Sequence, residues 1–298
     1  MHPAATLILL RETDGRLEAL MMRRGAGLSF LGGMWVFPGG RLDTADQSPE
    51  ALARVFPDAR GAAPPQLATM QGTALDLDAA AGLYVAACRE AFEEAGVLLA
   101  CTSSGEPCDA ATAARLGFRR LDVTEDATAF TRMLEAEDLF LDTRQLVYWS
   151  HWITPSIEPK RFDTRFFAAP LPPGQAASAD LSELTEHAWL EPANVAGALE
   201  RGELRLVPPT LLTLEDLAEC HARHGCLAAM LAAEVGRETP PVMPRIEVTG
   251  DAVRVVMPWD PGYGQVAGEA CEAAREFPAH FTRCCASHTM TRDRQPRR

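Results

Sequence analysis

The start of the chain alternates short apolar runs with turn-forming residues. The runs "AATLILL" (4–10) and "LEALMM" (17–22) flank an Asp-Gly pair at 14–15, which favours a two-residue hairpin turn. We therefore predict two antiparallel strands. The next run, "GGMWVFPGG", alternates Trp35 and Phe37 with smaller residues and ends in a Pro-Gly-Gly turn. This pattern indicates a strand that leads into a site.

A helical pattern follows in residues 78–95. Apolar side chains recur three and four positions apart, as on one face of a helix, at Tyr84, Val85, Cys88, Phe92 and Ala95. An arc of about 100° on the other face carries Glu90, Glu93 and Glu94. Gly82 and Ala86 leave room beside that arc. We predict an amphipathic helix with Asp78 as its N-cap and Gly96 as its left-handed C-cap.

The remaining patterns mix helices and strands. Helical patterns cover 49–56, 109–116, 125–138, 192–201 and 208–220. Strand patterns cover 145–154, 161–169, 186–192 and 204–207, and residues 245–258 form a hairpin pattern. Because no βαβ repeat is present, the order predicts α/β layers of the α+β kind instead of a Rossmann fold.

Composition narrows the class of protein. The 298 residues carry a net charge of −13, which disfavours a nucleic-acid partner. No run of 18 apolar residues occurs, and the first residues lack the basic start of a secretory signal. The chain ends in "QPRR" and not in a peroxisomal Ser-Lys-Leu. We expect a cytoplasmic protein with no membrane partner. The sequence does not decide between a monomer and a homodimer.

The eight cysteines show no CxxC pair, so reduced thiols are expected. Cys220 and His224 lie one helical turn apart, and a zinc site is one interpretation of this spacing. A helix surface with incidental Cys and His explains the same letters.

The crowded acidic face of residues 78–95 is locally unfavourable. Carboxylates three and four residues apart repel by roughly 0.2 to 0.5 kcal/mol per pair, and negative charge near a helix C-terminus adds a further cost. Two interpretations remain at this point. The face is either a solvated acidic surface or the carboxylate side of a site for a hard divalent cation such as Mg²⁺.

Two segments together resemble the Nudix box of the Nudix hydrolases. They are "FPGG" at 37–40 and "REAFEEAGV" at 89–97. The box normally runs without interruption, whereas here Gly40 and Arg89 are 49 residues apart. An insertion, which we place at 43–77, splits the box. The early acidic position falls on Asp46 when counted from Gly40 and on Ala81 when counted back from Arg89.

The resemblance implies a Nudix-type α/β/α sandwich with a mixed sheet. We expect a Nudix domain at 1–219, a C-terminal extension at 220–278 that packs on it, and a disordered tail at 279–298. The insertion at 43–77 is expected to form a lid or specificity wall.

The resemblance also implies site residues. Glu93 and Glu94 would bind Mg²⁺ or Mn²⁺, and Glu90 would be a ligand or the base that activates water. Arg89 would hold a carboxylate, and Gly40 would offer its carbonyl to the metal. A distant acid would come from Glu183, with Glu186 as the alternative.

Two further segments, "LMMRRGAGLSFLGGMWVFPGGRLDTAD" (20–46) and "RFDTRFF" (161–167), carry a narrower resemblance to the peroxisomal-type coenzyme A diphosphatases, a branch of the family that tolerates a split box. It implies cleavage of coenzyme A or acyl-CoA to 3′,5′-ADP and phosphopantetheine. Arg161 and Arg165 would clamp phosphates, Arg23 or Arg24 would meet the 3′-phosphate, and Leu28, Phe30 and Trp35 would line a pantetheine channel. NADH, ADP-ribose and dinucleoside polyphosphates remain alternative substrates. A Nudix module that binds a nucleotide without cleaving it is the alternative of another class.

Overall fold

The computed structural model describes residues 1–27, 31–57, 75–179, 184–249, 252–268 and 289–291. The strands are β1 His2–Thr13, β2 Arg16–Arg24, β3 Trp35–Val36, β4 Gly39–Arg41, β5 Ala100–Thr102, β6 Leu139–Leu141, β7 Val147–Ile153, β8 Phe162–Pro170, β9 Leu184–Leu190, β10 Pro241–Val242, β11 Arg245–Thr249, β12 Ala252–Val256 and β13 Thr289–Thr291. The helices are α1 Pro49–Ala53, α2 Leu77–Ala95, α3 Ala110–Leu116, α4 Arg120–Glu125, α5 Thr128–Ala136, α6 Val195–Glu200, α7 Pro208–His224 and α8 Leu227–Ala233.

The predicted N-terminal hairpin is confirmed. β1 and β2 pair in antiparallel register from Leu10 opposite Ala19 to Thr13 opposite Arg16. The two turn residues between them both have positive φ, 51° at Asp14 and 74° at Gly15. A turn with left-handed residues at both central positions matches the twist of the flanking strands, which is why an Asp-Gly pair favours it.

The main sheet is mixed, as expected. Its strands follow the order β10-β7-β8-β1-β2-β3, with β4 also paired to β1 and β9 to β2. β1 runs parallel to β8 and β10 runs parallel to β7, whereas the other pairs of this sheet are antiparallel. β4 therefore continues the sheet beside the first residues of β1, where the Pro-Gly-Gly turn ends.

Alternate residues of β1 supply two separate cores. Leu7 and Leu9 pack with Phe92 and its neighbours on α2, on one face of the sheet. Ile8 and Leu10 pack with Leu214 and other residues of α7 and α8, on the opposite face. Because successive side chains of a strand point to opposite faces, one apolar strand can serve both layers. The expected α/β/α sandwich is thus confirmed. No helix within the described ranges is long and apolar enough to cross a bilayer.

Two local predictions are wrong. The N-cap of α2 is Asp76 and not Asp78, since the Asp76 side chain accepts a hydrogen bond from Ala79 N at 2.7 Å. Residues 204–207 form no strand. Arg205 O accepts a hydrogen bond from Trp35 N at 2.9 Å, and the proline pair that starts α7 follows before any ladder develops.

The C-terminal extension is joined closely to the domain. The expected boundary at residue 219 falls inside α7, and β10 adds a strand to the main sheet beside β7. Most of the expected tail at 279–298 lies outside the described residues. Its described part, β13, pairs with β12.

Candidate active site

The acidic helix α2 ends as its sequence predicts. Gly96 has φ of 68°, its N–H donates to Phe92 O, and Val97 N donates to Ala91 O. These two bonds form the left-handed cap that glycine allows. The cap leaves Glu90, Glu93 and Glu94 in the last two turns of the helix, where the helix dipole disfavours negative charge.

Arg120 of α4 compensates part of that charge from a distant segment. Its Nε donates to Glu93 O at 2.9 Å and its Nη2 donates to Glu94 O at 2.6 Å. The guanidinium thus binds the last carbonyls of α2, at the negative end of the helix dipole. No pattern in the sequence predicts this contact.

Arg89 organises the carboxylates within the fold. It is only 5% exposed and makes a bidentate pair with Asp46, from Nε to Oδ1 at 2.8 Å and from Nη2 to Oδ2 at 3.0 Å. Its Nη1 lies 2.6 Å from Glu93 Oε1 and 3.0 Å from Glu90 Oε1. Planar guanidinium groups suit such bidentate pairs. Asp46, and not Ala81, therefore supplies the carboxylate beside Arg89, and it does so from within the segment 43–77.

The packing of Asp46 also corrects one expectation. The space beside Gly82 is not open to a cation, because the turn Ala45–Gln47 packs there. A Cβ on Gly82 would lie 2.8 Å from Gln47 Cγ. The small residue lets this turn approach α2, and the approach delivers Asp46 to Arg89.

Negative charge exceeds positive charge in what we call the carboxylate cluster, formed by Asp46, Arg89, Glu90, Glu93 and Glu94. Burial raises the pKa of Glu90 to about 7; Arg89 opposes this shift, while Glu93 and Asp46 add to it. Three of the four carboxylates contact the Arg89 guanidinium, and Glu94 accepts from Gly39 N. A bound cation would offset this excess and favour the ionised form of Glu90.

The two glycines of β4 let the carboxylates approach the backbone. Gly39 N donates to Glu94 Oε2 at 2.9 Å. A Cβ on Gly40 would lie 2.2 Å from Glu90 Oε1, so no other residue fits without displacing Glu90. Gly40 therefore lies beside the acidic helix, and its carbonyl as a metal ligand stays a prediction.

The carboxylates open onto a cleft of about 770 Å³. Its charged lining includes Glu90, Glu94, Arg24, Arg41, Glu158 and Lys160, and Lys160 is the only lysine of the chain. The other lining residues come mainly from the sheet face opposite α2 and from the C-terminal half of the chain. A cleft of this volume is in the usual range for small-molecule sites.

The predicted substrate-binding arginines lie in different surroundings. Arg24 lines the cleft. Arg23 is exposed and pairs with Glu186 at 3.2 Å. Arg161 donates to Thr154 O at 3.1 Å and is half-buried.

Arg165 does not reach the cleft. It is fully buried within the sheet, with its Nη1 2.8 Å from Asp163 Oδ2. The sequence pattern cannot distinguish this position from an exposed strand edge. Glu183, Leu28 and Phe30 lie outside the described residues, and Trp35 is buried against the second core.

The donor set of the cluster fits Mg²⁺ or Mn²⁺. Within the described ranges, no three His, Cys, Asp or Glu side chains are arranged as a complete metal-binding group. One oxygen of Glu93 is engaged by Arg89. Mg²⁺ nevertheless binds through one or two carboxylates together with waters and substrate phosphates. Glu90 and Glu94 at the cleft satisfy that requirement.

Known proteins resemble this chain over most of its length. The NUDT19 Nudix domain family matches residues 4–217. Human acyl-coenzyme A diphosphatase NUDT19 is 30% identical over 224 residues, covering 67% of this chain and 60% of the relative. The Gallus gallus protein of the same name is 30% identical over 254 residues, covering 71% and 66%. The chain thus spans 60% to 66% of the length of these curated relatives.

A solved structure agrees with the family match. The crystal structure of a Nudix hydrolase from Alicyclobacillus acidocaldarius has a TM-score of 0.58 and 28% identity, covering 74% of this chain and 92% of that one. The family match includes both halves of the split box and most strands of the sheet that carries them. The chain therefore belongs to the Nudix hydrolase family, as a Nudix domain of the NUDT19 type.

Proposed function

We propose that this protein is a divalent-metal-dependent hydrolase that cleaves the diphosphate of coenzyme A or acyl-CoA. The products would be 3′,5′-ADP and phosphopantetheine or its acyl derivative. One observation carries the proposal: Glu90 and Glu94 lie beside the Gly39-Gly40 backbone at a cleft large enough for a small molecule. The names of the human and chicken relatives support the choice of substrate.

Glu90, Glu94 and the Gly40 carbonyl would hold Mg²⁺ or Mn²⁺. Glu93 is proposed as a third ligand through the oxygen that Arg89 does not engage, and Glu183 as a more distant one. When bound, the cation supplies positive charge that neutralises the diphosphate and polarises its oxygens. Arg89 keeps Glu90 and Glu93 oriented through its contacts with both and with Asp46.

The chain's own residues would position and activate water. Water attacks one phosphorus, the bridging P–O bond breaks, and the proton of the water passes to the Glu90 carboxylate. A positioned carboxylate can act as the general base of such a step. Arg24, Arg41 and Lys160 line the same cleft and supply positive charge for phosphate groups. Arg24 is the proposed contact for the 3′-phosphate of coenzyme A.

The net charge of −13 supports a small substrate instead of a nucleic acid. A cytoplasmic location is part of the proposal. The homodimer and the lid role of residues 43–77 stay predictions.

A substrate screen tests the proposal. Coenzyme A, an acyl-CoA, dephospho-coenzyme A, ADP-ribose, NADH and a dinucleoside polyphosphate are incubated with the protein, with and without Mg²⁺ or Mn²⁺, and products are identified by mass. We expect metal-dependent release of 3′,5′-ADP, with kcat/KM for coenzyme A at least about tenfold above that for dephospho-coenzyme A. Equal rates for dephospho-coenzyme A and ADP-ribose would remove the coenzyme A specificity and leave the hydrolase. Binding without cleavage in any metal would support the non-catalytic module instead.

A further inference from the structure

The cleft extends across the sheet well beyond the carboxylate cluster. Register places Arg41 opposite Ala4, Ala4 opposite Thr164, and Thr164 opposite Trp152. All four residues line the cleft. Three steps between neighbouring strands correspond to about 14 Å. The end at β7 is therefore too far from β4 to contact the diphosphate itself.

The C-terminal extension covers this distant end with apolar side chains. Pro244, Ile246 and Val255 line the cleft together with Trp152 and Phe166. Ile246 and Val255 are directly opposite each other in the β11–β12 hairpin. Pro244, Ile246 and Val255 lie beyond residue 217, where the family match ends. The family therefore supplies no role for them.

The hairpin is fixed in place by polar contacts. β10, three residues before β11, pairs with His151 and Trp152 of β7. Arg245 donates from Nη1 to the carbonyls of Tyr263 and Val266, both at 2.8 Å. Tyr263 Oη donates to Met243 O at 2.6 Å. Anchors on both sides give the cleft a preformed wall, which favours binding because little ordering is needed.

We propose that Ile246 and Val255 form the acyl-binding end of the cleft, so that the C-terminal hairpin selects acyl-CoA over free coenzyme A. This inference rests on the proposed function. A diphosphate held at Glu90 and Glu94 leaves the phosphopantetheine arm to run along Ala4, Thr164 and Trp152. The acyl thioester at the end of that arm then meets the hairpin.

The chemistry of this end favours a hydrocarbon chain. Proline, isoleucine and valine side chains bind acyl carbons by excluding water from apolar surface. A second nucleoside would leave polar groups without partners there. Trp152 lines the same stretch of the cleft, and its buried indole N–H has no hydrogen-bond partner among the described residues. An amide carbonyl of pantetheine would satisfy such a donor.

Chain-length selectivity tests the proposal. We would measure kcat/KM for coenzyme A, hexanoyl-CoA and lauroyl-CoA with the wild type, Ile246→Trp, Ile246→Ser and Glu247→Gln. Ile246→Trp shortens the apolar end, and we expect at least a tenfold loss for lauroyl-CoA with coenzyme A changed less than about twofold. Ile246→Ser should weaken both acyl substrates. Glu247 faces away and pairs with Arg254 at 3.4 Å, so Glu247→Gln should match the wild type.

The possible outcomes separate this proposal from the hydrolase itself. Parallel changes for all three substrates in Ile246→Trp, or the same shift in Glu247→Gln, would overturn the acyl-binding role while the hydrolase stands. If the Tm of Ile246→Trp is well below that of the wild type, the kcat/KM values of Ile246→Ser decide whether Ile246 binds the acyl chain. If the wild type cleaves none of the substrates, the proposed function fails. Calorimetric binding of the same ligands then tests the hairpin directly, and equal affinity of coenzyme A and lauroyl-CoA would overturn its role.

Discussion

Two buried groups of charged residues differ in balance and in access to solvent. In the carboxylate cluster, Arg89 pairs with Asp46, Glu90 and Glu93, and the cluster opens onto the cleft through Glu90 and Glu94. A second group, which we call the sheet cluster, consists of His151, Asp163 and Arg165. Asp163 contacts His151 and lies 2.8 Å from Arg165, and no member is more than 1% exposed.

The difference shows how to separate a structural charge from a functional one. Removing a charge from water is costly, so a sealed group must balance itself. The sheet cluster has one carboxylate, one guanidinium and a histidine whose pKa burial lowers. The carboxylate cluster has an excess of negative charge, which is tolerable where a cation and water can reach it. Imbalance at an open cleft, and not the number of charges, therefore marks the candidate site.

The largest effect on activity is expected when the carboxylate cluster loses one carboxylate. Glu94→Gln should lower turnover at least about 10²-fold, because charge stabilisation at the transferred phosphorus is lost. The fold should survive, since the glutamine carbonyl can still accept the hydrogen bond from Gly39 N that Glu94 accepts. Steady-state turnover at saturating substrate and limiting Mg²⁺ measures the effect.

The control for this variant is an exposed acid outside the cleft. Glu137 pairs with Arg115 on the surface, and Glu137→Gln should keep wild-type turnover. Thermal unfolding gives a second readout: Mg²⁺ should raise the Tm of the wild type and of Glu137→Gln more than that of Glu94→Gln. Wild-type turnover and an equal Mg²⁺ shift in Glu94→Gln would remove the metal role of this carboxylate.

The next largest effect is a loss of folding stability when the sheet cluster loses its carboxylate. Asp163→Asn removes the carboxylate that pairs with the buried Arg165 guanidinium, and breaking a buried pair costs about 3–5 kcal/mol. We expect the free energy of unfolding in urea to fall by that amount. The turnover of the remaining folded protein should stay near that of the wild type. A stable variant with strongly reduced turnover would instead assign the sheet cluster to the active site.

Local patterns predicted much of the fold but only part of the site. The hairpin, the acidic helix and both halves of the split box follow from residues close together in sequence. Asp46 stayed ambiguous because the insertion breaks the count to Arg89. Arg120 was missed because its contact with Glu93 spans 27 residues. The burial of Arg165 and the hairpin wall of the cleft depend on which strands pair, and no short pattern encodes that choice.

The smallest expected effect is a pH dependence of the free energy of unfolding that arises from His151 of the sheet cluster. Burial lowers the pKa of His151 from its usual 6.5, Arg165 lowers it further, and Asp163 opposes both. The unfolded chain therefore takes up a proton near pH 6.5 that the folded protein does not bind. Stability from this group is complete above that pH and decreases as the pH falls through it. The loss should begin near pH 6.5 and grow as the pH falls towards the lowered pKa of the folded ring.

A variant without the titrating ring isolates this contribution. His151→Gln keeps a neutral donor for Asp163, so the difference in unfolding free energy between wild type and variant should change with pH and not only by a constant. Glu90 has the opposite sign: its raised pKa makes the folded state lose stability as the pH increases from about 4.5 to 7. Because both proteins contain Glu90, its contribution cancels in the difference. A difference independent of pH would mean that His151 binds its proton equally in the folded and unfolded states, and the sheet cluster would then not hold a neutral histidine.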